Sequence, residues 1–208
     1  MNSRFLERFE RCRLRMGEPW FSAALGKRPA PAGARPNQQE LDGTAAHAVA
    51  NRCRLLALAQ FATGVTVITA EHGAGKVHGM TANSFTSVSL DPLLLLICVA
   101  QHAQLLPLVK AKKSFGVNIL RHEQEAISRY FAQTEELPQV ETELGIRYRW
   151  TSTGIPLLEG ALVHLACNVV NSYIAGDHTI FIAEVEGVET YDGEPLLYFR
   201  RNYRRIAE

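Results

Sequence analysis

Small, hydroxylated and amide side chains are grouped in four consecutive residues, Thr81-Ala82-Asn83-Ser84. Hydroxyl and amide groups both donate and accept hydrogen bonds, so Thr81, Asn83 and Ser84 could bind the polar groups of a small molecule. Polar residues of this kind often carry function where a strand runs into a loop, but they also occur on the exposed face of an ordinary strand. From these residues alone, the two interpretations are about equally well supported.

His178 is a second candidate, because it follows Gly176 and Asp177 between two long strand patterns. An imidazole can bind a ligand as a donor or an acceptor, yet a single histidine is more often an ordinary surface group. Asp177 either orients the imidazole or only shapes the turn, and we favour the turn role. The other six histidines follow no comparable pattern, although His78 lies close to Thr81 in the sequence.

Signatures of other chemistries are incomplete in this sequence. Gly73-Ala74-Gly75-Lys76 resembles part of a phosphate loop, but Ala70 and Val77 stand where that loop needs Gly and Ser or Thr, so we interpret it as a hairpin turn. The chain has no G-x-G-x-x-G, and a nicotinamide nucleotide would therefore bind without the Rossmann fingerprint. The sequence also has no Ser-His-Asp or Cys-His signature of a protein nucleophile, and we predict none.

Composition limits the classes of function. The length of 208 residues and the 47% hydrophobic content predict one globular domain with an extension. The net charge of +1 gives no electrostatic case for binding nucleic acid. No run approaches the 18 apolar residues of a membrane span, and the N-terminus lacks the apolar core of a signal peptide. The four cysteines are widely spaced, with no metal-ligand spacing, so we expect reduced thiols, no metal and a cytoplasmic location.

The elements that would position these residues are mostly strands. Residues 65–70 alternate with period two, a second strand should run from 77 to 84, and residues 93–99 are apolar throughout, which predicts a strand buried on both faces. Further strand patterns cover residues 114–120, 161–173, 178–188 and 195–200, and helical patterns cover residues 45–62, 101–112 and 121–132. Residues 134–153 are polar and irregular, which predicts an excursion outside the sheet. Many strands without a βαβ repeat favour an antiparallel barrel over a doubly wound sheet.

The N-terminal region has a different composition. Residues 2–16 could form a short amphipathic helix or a partly ordered tail, and we favour the tail. Residues 26–43 are rich in Pro, Ala and Gly, which is typical of a linker. The sequence therefore predicts an extension and linker over residues 1–44 and a single domain over residues 45–208.

Five segments, taken together and in order, resemble the flavin reductase family with the FMN-binding split-barrel fold, which includes the reductase components of two-component flavin monooxygenases. The resemblance covers roughly residues 55–205, and it implies a mainly β, Greek-key antiparallel split barrel with a few peripheral helices. The matching segments are Thr63–Thr69, Met80–Pro92, Phe115–Leu120, Gly176-Asp177-His178 and Pro195–Arg200.

The resemblance also implies site residues and cofactors. The cofactors would be FMN or FAD, reduced by NADH or NADPH, and Asp177, His178 and Thr179 would contact the nicotinamide nucleotide. Ala103, Gln104, Leu105 and Tyr130 replace Arg or Ser that relatives often have near the phosphate and the pocket, which leaves FMN and FAD as alternatives and allows weak flavin binding. The implied flavin-binding residues are Val77, His78, Gly79, Met80, Thr81, Asn83, Ser84, Cys98, Val99, Ala100, Gln104, Tyr130 and Phe131.

The function implied is that of an NAD(P)H:flavin oxidoreductase, acting as a homodimer and supplying reduced flavin to a partner monooxygenase. Hydride transfer needs the two rings to be positioned and needs no protein nucleophile, so we name no catalytic residue. The alternatives are a flavin-holding protein of the same fold without turnover and an oxidase of the pyridoxamine-phosphate type. The Gly176-Asp177-His178 motif favours the reductase.

Overall fold

The structure is a computed structural model that describes residues 55–133 and 138–206. The chain divides into two compact units, residues 1–60 and residues 61–208. Of the first unit, residues 55–58 are helical, in agreement with the predicted helix over 45–62. The rest of that helix, the linker and the proposed domain boundary near residue 45 lie outside the described residues.

Twelve strands and three helices form the described part of the second unit. The strands are β1 (Thr63–Gly64), β2 (Thr66–Glu71), β3 (Val77–Ala82), β4 (Phe85–Leu90), β5 (Leu93–Ala100), β6 (Ser114–Ile119), β7 (Tyr148–Trp150), β8 (Pro156–Leu158), β9 (Val163–Ala175), β10 (His178–Thr190), β11 (Leu197–Phe199) and β12 (Asn202–Arg204). The helices are α1 (Leu105–Lys112), α2 (Glu125–Phe131), preceded by a 3₁₀ turn at His122–Gln124, and α3 (Pro138–Glu143).

A seven-stranded antiparallel sheet dominates the fold, with the order β3-β2-β6-β9-β10-β5-β4. β3 and β4 are consecutive in the chain and form the two edges of this sheet, so the ladder remains open between them. This arrangement confirms the predicted mainly β, split antiparallel barrel. A smaller sheet, β1-β11-β12, and the β7-β8 pair complete the strands.

Two of the three apolar clusters in the described residues account for most of the barrel core. The larger lies under β2, β5, β6 and β10 and is sealed by α1 through Leu105, Leu106 and Val109. The smaller lies between β2 and α2 and contains Tyr130 and Phe131. The helix predicted over residues 101–112 is therefore present, but it begins only at Leu105. Leu105 is the first of the three residues that the helix buries in the core.

A buried polar network ties the β7-β8 excursion to the barrel. Asn118 is fully buried; its amide donates to the Val67 carbonyl, 2.9 Å away, and its side-chain oxygen accepts from the Leu158 backbone N–H at 2.8 Å. Thr69 donates to the Pro156 carbonyl at 2.6 Å. A β-carbon at Gly116 would lie 2.4 Å from that carbonyl oxygen, so the close approach of the two segments requires glycine.

Several sequence-based expectations are corrected by the structure. Residues 134–153 contain α3 and β7 rather than only irregular chain, because Val140, Leu144, Ile146 and Tyr148 pack on the smaller cluster. The strand predicted at 195–200 pairs with β1 and β12 in a separate sheet and does not close the main one. β5 is buried on one face only: Leu95, Ile97 and Val99 are buried, whereas Leu94, Leu96 and Cys98 are half-buried.

Candidate functional site

Helix α2 packs on the face of β3 that carries the predicted flavin residues. The Phe131 ring lies directly over Gly79, where a β-carbon would be 2.5 Å from Cε1 of the ring. Two residues along β3, the Thr81 hydroxyl donates to the Ser128 carbonyl of α2 at 2.7 Å. Glycine at 79 and a hydroxyl at 81 therefore fix the position of the helix on this strand.

The hydrogen bond to Ser128 limits what Thr81 can offer a ligand. A hydroxyl has a single proton, and Thr81 donates it to α2, so toward a ligand its oxygen can only accept. Ser84 is used in a similar way: its hydroxyl donates to the Cys98 carbonyl at 2.9 Å and accepts from the Cys98 N–H at 3.3 Å. Both residues therefore have structural roles that the polar sequence pattern did not reveal.

Asn83 is the polar side chain of this group that remains available for a ligand. It is exposed, it follows the last residue of β3, and its amide has no hydrogen-bond partner among residues 55–133 and 138–206. Its NH₂ group can donate and its oxygen can accept. Of Thr81, Asn83 and Ser84, Asn83 is thus the side chain with a free donor.

The ends of β5 and β10 bring the predicted flavin and nicotinamide residues together. His178 pairs with Ala100, Thr179 pairs with Val99, and Ile180 pairs with Cys98. The Ser84 hydroxyl is hydrogen-bonded to the Cys98 backbone on β5, and β5 pairs with β10. Only β5 therefore separates the β3–β4 connection from the Gly176–His178 turn. Residues 83–84, 98–100 and 177–179, which are distant in sequence, therefore meet at one edge of the barrel.

Gln101, which sequence analysis did not select, fastens this edge. Its side-chain NH₂ donates to the Thr179 hydroxyl at 3.0 Å and to the His178 carbonyl at 3.2 Å, while its backbone N–H donates to the Asp177 carbonyl at 2.8 Å. Only the strand pairing of β5 with β10 reveals this role, because Gln101 is 76 or more residues from its partners. Thr179 is buried, and its hydroxyl oxygen accepts the hydrogen bond from the Gln101 amide.

Asp177 and His178 form a direct pair. The Nδ1 atom of His178 lies 2.7 Å from Oδ1 of Asp177, and the imidazole remains 44% exposed. Asp177 therefore orients the imidazole, in addition to shaping the turn, whose left-handed residue is Gly176 with φ of +61°. The hydrogen bond from His178 holds the pKa of the Asp177 carboxyl below its usual range.

This pair also assigns the two imidazole nitrogens. A carboxylate only accepts hydrogen bonds, so Nδ1 of His178 carries the proton. In the neutral imidazole Nε2 is then a hydrogen-bond acceptor, and in the protonated form it becomes a donor. The exposed edge of His178 can accordingly accept from an amide or donate to a phosphate.

The remaining predicted residues are placed in several ways. Tyr130 and Phe131 are buried in the smaller cluster with ring centroids 4.9 Å apart, and Val99 is buried in the larger one. His78 is buried and its ring contacts that of His72, whereas Met80 is half-buried against the larger cluster. Val77, Gly79, Cys98 and Ala100 are half-buried, and Gln104 is exposed at the start of α1. The buried strand residues His78 and Val99 can contact a ligand here mainly through the strand backbone.

The donors and acceptors at this edge fit a flavin. A flavin needs an apolar slot, acceptors for its ring N–H and ribityl hydroxyls, and donors for its ring carbonyls and phosphate. Thr81 supplies an acceptor and Asn83 supplies donors, and the half-buried Ala100 at the end of β5 adds an apolar side chain to this edge. Within the described residues, no group of three or more His, Cys, Asp or Glu side chains is arranged to hold a metal ion, and no helix is long and apolar enough to cross a membrane.

A split antiparallel barrel of this kind is found in flavin reductases of known structure. Residues 58–207 match the family described as the flavin reductase like domain. This match covers most of the chain, which therefore belongs to the flavin reductase family and is an oxidoreductase. The resemblance inferred from the sequence is confirmed.

Individual relatives agree with this assignment. An NADH-dependent flavin reductase of a Rhodococcus species is 43% identical over 72% of this chain and 83% of its own length. The reductase component of 4-hydroxyphenylacetate 3-monooxygenase of Thermus thermophilus is 41% identical over 73% of this chain and 93% of its own. Among solved structures, the NADH:FAD oxidoreductase SgcE6 of Streptomyces globisporus, in complex with NAD and FAD fragments, has a TM-score of 0.68 and 38% identity, covering 75% of this chain and 93% of the other.

Proposed function

We propose that this protein uses NADH to reduce FMN or FAD at the edge formed by the β3–β4 connection and the ends of β5 and β10, and that it passes the reduced flavin to a partner monooxygenase. The observation that carries the proposal is the pairing of Ala100 with His178, which places the implied flavin residues beside the implied nicotinamide residues. The preference for NADH is supported by the names of the relatives, and the partner by the name of the Thermus reductase component. We place the protein in the cytoplasm.

The residues of the site have separate roles in this proposal. Asn83 donates to the flavin, Thr81 accepts from it, and the apolar side chain of Ala100 helps to exclude water from the ring. His178, with Nδ1 held by Asp177, accepts through Nε2 from the carboxamide N–H of the nicotinamide. A bound flavin supplies the hydride acceptor; the protein contributes mainly the relative position of the two reactants.

We also propose that the protein is a homodimer. The outer face of β5 and β10 is apolar, and its side chains belong to none of the core clusters of the described residues: Leu94, Leu96, Cys98, Ile180 and Ile182. Leu96 lies opposite Ile182 and Cys98 lies opposite Ile180, so the face is continuous across the two strands. A continuous apolar sheet face is more stable when it is covered, and a second copy of the same face would cover it symmetrically.

The test of the function is a spectroscopic assay. Purified protein is mixed with NADH and with FMN or FAD, and the absorbance of NADH is followed, with NADPH in a parallel sample. Rapid loss of NADH that requires added flavin supports the proposal. Rates measured with the two flavins, and with the two nucleotides, at equal concentration give the preference of the enzyme for each. Tight flavin binding without consumption of NADH or NADPH would reject the reductase in favour of a flavin-holding protein.

A further inference from the structure

The hairpin formed by β11 and β12, residues 197–205, has an unusual turn. Phe199 pairs with Asn202, so only Arg200 and Arg201 connect the two strands. Both are left-handed, with φ of +49° and +64°. Two-residue hairpin loops with two positive φ angles strongly favour Asn, Asp or Gly, because a side chain with a β-carbon is strained in that conformation. Two consecutive arginines are therefore a poor choice for the stability of this turn.

The same hairpin, called the arginine hairpin below, concentrates positive charge. Four of the six residues from 200 to 205 are arginine: Arg200, Arg201, Arg204 and Arg205. All four are exposed. Over the whole chain, 22 basic residues are nearly balanced by 21 acidic ones, so this concentration is local.

The arginines of the hairpin differ from the others in their partners. Arg129 pairs with Glu125, Arg147 with Glu159 and Arg149 with Glu189. Arg121, the remaining arginine outside the hairpin in the described part of the chain, donates to the Gly160 and Asp192 carbonyls.

By contrast, Arg201, Arg204 and Arg205 have no ion pair or hydrogen bond with any residue that the structure describes, and Arg200 lies over the ring of Phe199, 5.0 Å from its centroid. A strained turn next to the unpaired guanidinium groups of Arg201, Arg204 and Arg205 indicates a use outside the fold itself.

We infer that the arginine hairpin is a docking surface for an acidic patch on a second protein, the one that receives reduced flavin; this inference rests on the function proposed above. Guanidinium groups bind carboxylates with two parallel hydrogen bonds, which suits them to a carboxylate-bearing partner. The nearly neutral net charge provides no extended positive field of the kind that long nucleic acids require, so a short acidic protein surface is the better match.

The hairpin is also connected to the candidate site. The Tyr203 hydroxyl of β12 is 2.8 Å from the Ser128 hydroxyl of α2, and the Ser128 carbonyl accepts from Thr81. Neighbouring strand residues point to opposite faces, so Tyr203 faces α2 while Arg204 faces away from it. A protein bound to the arginines would therefore lie on the outer side of the element that holds α2 against β3.

Binding of fluorescently labelled poly-L-glutamate, measured by anisotropy at low ionic strength, tests the inference. The double variant Arg201→Ser/Arg204→Ser should weaken binding by at least about tenfold, the equivalent of one charge-assisted hydrogen bond. The matched control Lys110→Ser/Lys113→Asn removes the same charge from α1 and its C-terminal cap, where Asn tolerates the left-handed conformation of Lys113, and should change binding by less than about twofold. Equal weakening by the two variants would overturn the inference, because binding would then follow net charge alone.

Two further measurements exclude other uses of the arginines. Tighter binding of labelled oligothymidylate than of poly-L-glutamate would overturn the inference in favour of nucleic acid. The rate of NADH oxidation with free flavin should be unchanged in Arg201→Ser/Arg204→Ser, and a loss would assign the arginines to the nucleotide site instead. If the wild-type protein oxidises no NADH, the proposed function fails, and the poly-L-glutamate result still decides whether the hairpin binds acidic chains.

The single variant Arg201→Gly separates strain from binding. Glycine relieves the left-handed strain, so the midpoint of thermal unfolding should rise by about 2 °C, while poly-L-glutamate binding weakens. A stabilised variant with unchanged binding would exclude Arg201 from the docking surface.

Discussion

His178 is the residue whose substitution most directly tests the nicotinamide half of the site. Replacing His178 with Ala removes the Nε2 acceptor that we assign to the carboxamide, and should lower kcat/KM for NADH by roughly two- to tenfold, since a hydrogen bond between neutral groups is worth about 0.5–1.5 kcal/mol. Flavin affinity should be unchanged. Steady-state titration of NADH at saturating flavin measures the effect, and His72→Ala serves as the control because His72 is exposed on the β2–β3 turn. An unchanged kcat/KM would remove His178 from the site.

The depressed pKa of Asp177 leads to a prediction on pH. The hydrogen bond from His178 favours the ionised carboxyl, so its stabilising contribution is fully present above the unfolded-state pKa of about 3.9 and is lost as the pH falls through the lower folded-state value. In Asp177→Asn the side chain should hold the imidazole of His178 less firmly at neutral pH. As a result, kcat/KM for NADH should fall across the whole range from pH 6 to 8. Profiles of the variant and the wild type that coincide in this range would show that the carboxylate only shapes the turn.

Gly79 tests the contact between β3 and α2. A β-carbon there would overlap the buried Phe131 ring, so Gly79→Ala should destabilise the protein by about 1–3 kcal/mol and weaken flavin binding as α2 shifts. Gly187→Ala on β10 is the matched control, because its β-carbon would meet only Ala166 at 3.7 Å. Urea unfolding and flavin titration measure the two effects. Equal stability of the two variants would contradict the tight packing of Phe131 on Gly79.

At the scale of elements, the C-terminal strand β12 holds helix α2 in place. The Tyr203 hydroxyl bonds to the fully buried Ser128, and the Arg129 guanidinium lies 4.8 Å from the centroid of the Tyr203 ring. Tyr203→Phe should lower the free energy of unfolding by about 1 kcal/mol, the net value of one hydrogen bond. Tyr198→Phe, whose hydroxyl has no hydrogen bond within the described residues, should have no effect. Chemical unfolding of both variants separates the loss of this bond from a general cost of removing a hydroxyl.

Strands were the elements most readily predicted from the sequence. β2, β6, β9 and β10 alternate with period two or combine β-branched residues with clear turn signals, and the structure has them within about two residues of the expected bounds. β12 was missed, because its turn consists of two arginines rather than the Asn or Gly that mark such a hairpin. The half-buried outer face of β5 was also missed, since an apolar run does not reveal which of its faces another element covers.

The candidate site was predictable as a set of segments but not as a set of contacts. The resemblance selected residues 77–84, 98–100 and 177–179, and the pairing of β5 with β10 brings the last two together. Ser128 and Gln101 were not selected, because their roles depend on partners 47 and 78 residues away in the sequence. Long-range hydrogen bonds of this kind leave no local pattern.

At the scale of the whole molecule, the uncovered face of β5 and β10 predicts how two copies associate. Ile182→Glu places a charge at the centre of this face, opposite Leu96, where burial of an unpaired carboxylate is strongly unfavourable. The variant should be monomeric in light scattering at a concentration at which the wild type is dimeric. Val170→Glu, on the exposed second half of β9, is the control and should remain dimeric. A wild-type protein that is active as a monomer would refute the homodimer.

The extension predicted over residues 1–44 gives the last prediction. The family match begins at residue 58, and every contact that we assign to the site involves residue 77 or a later one. The composition of residues 26–43 is that of a linker, which contributes little apolar surface to a core. Deleting residues 1–43 should therefore leave kcat and KM for NADH and free flavin within about twofold of the full-length values. Light scattering and circular dichroism first establish that the truncated protein is folded and has the same oligomeric state as the full-length chain. A folded truncation without activity would then give the extension a direct part in the site, whereas an active one places the whole of the reductase in residues 44–208.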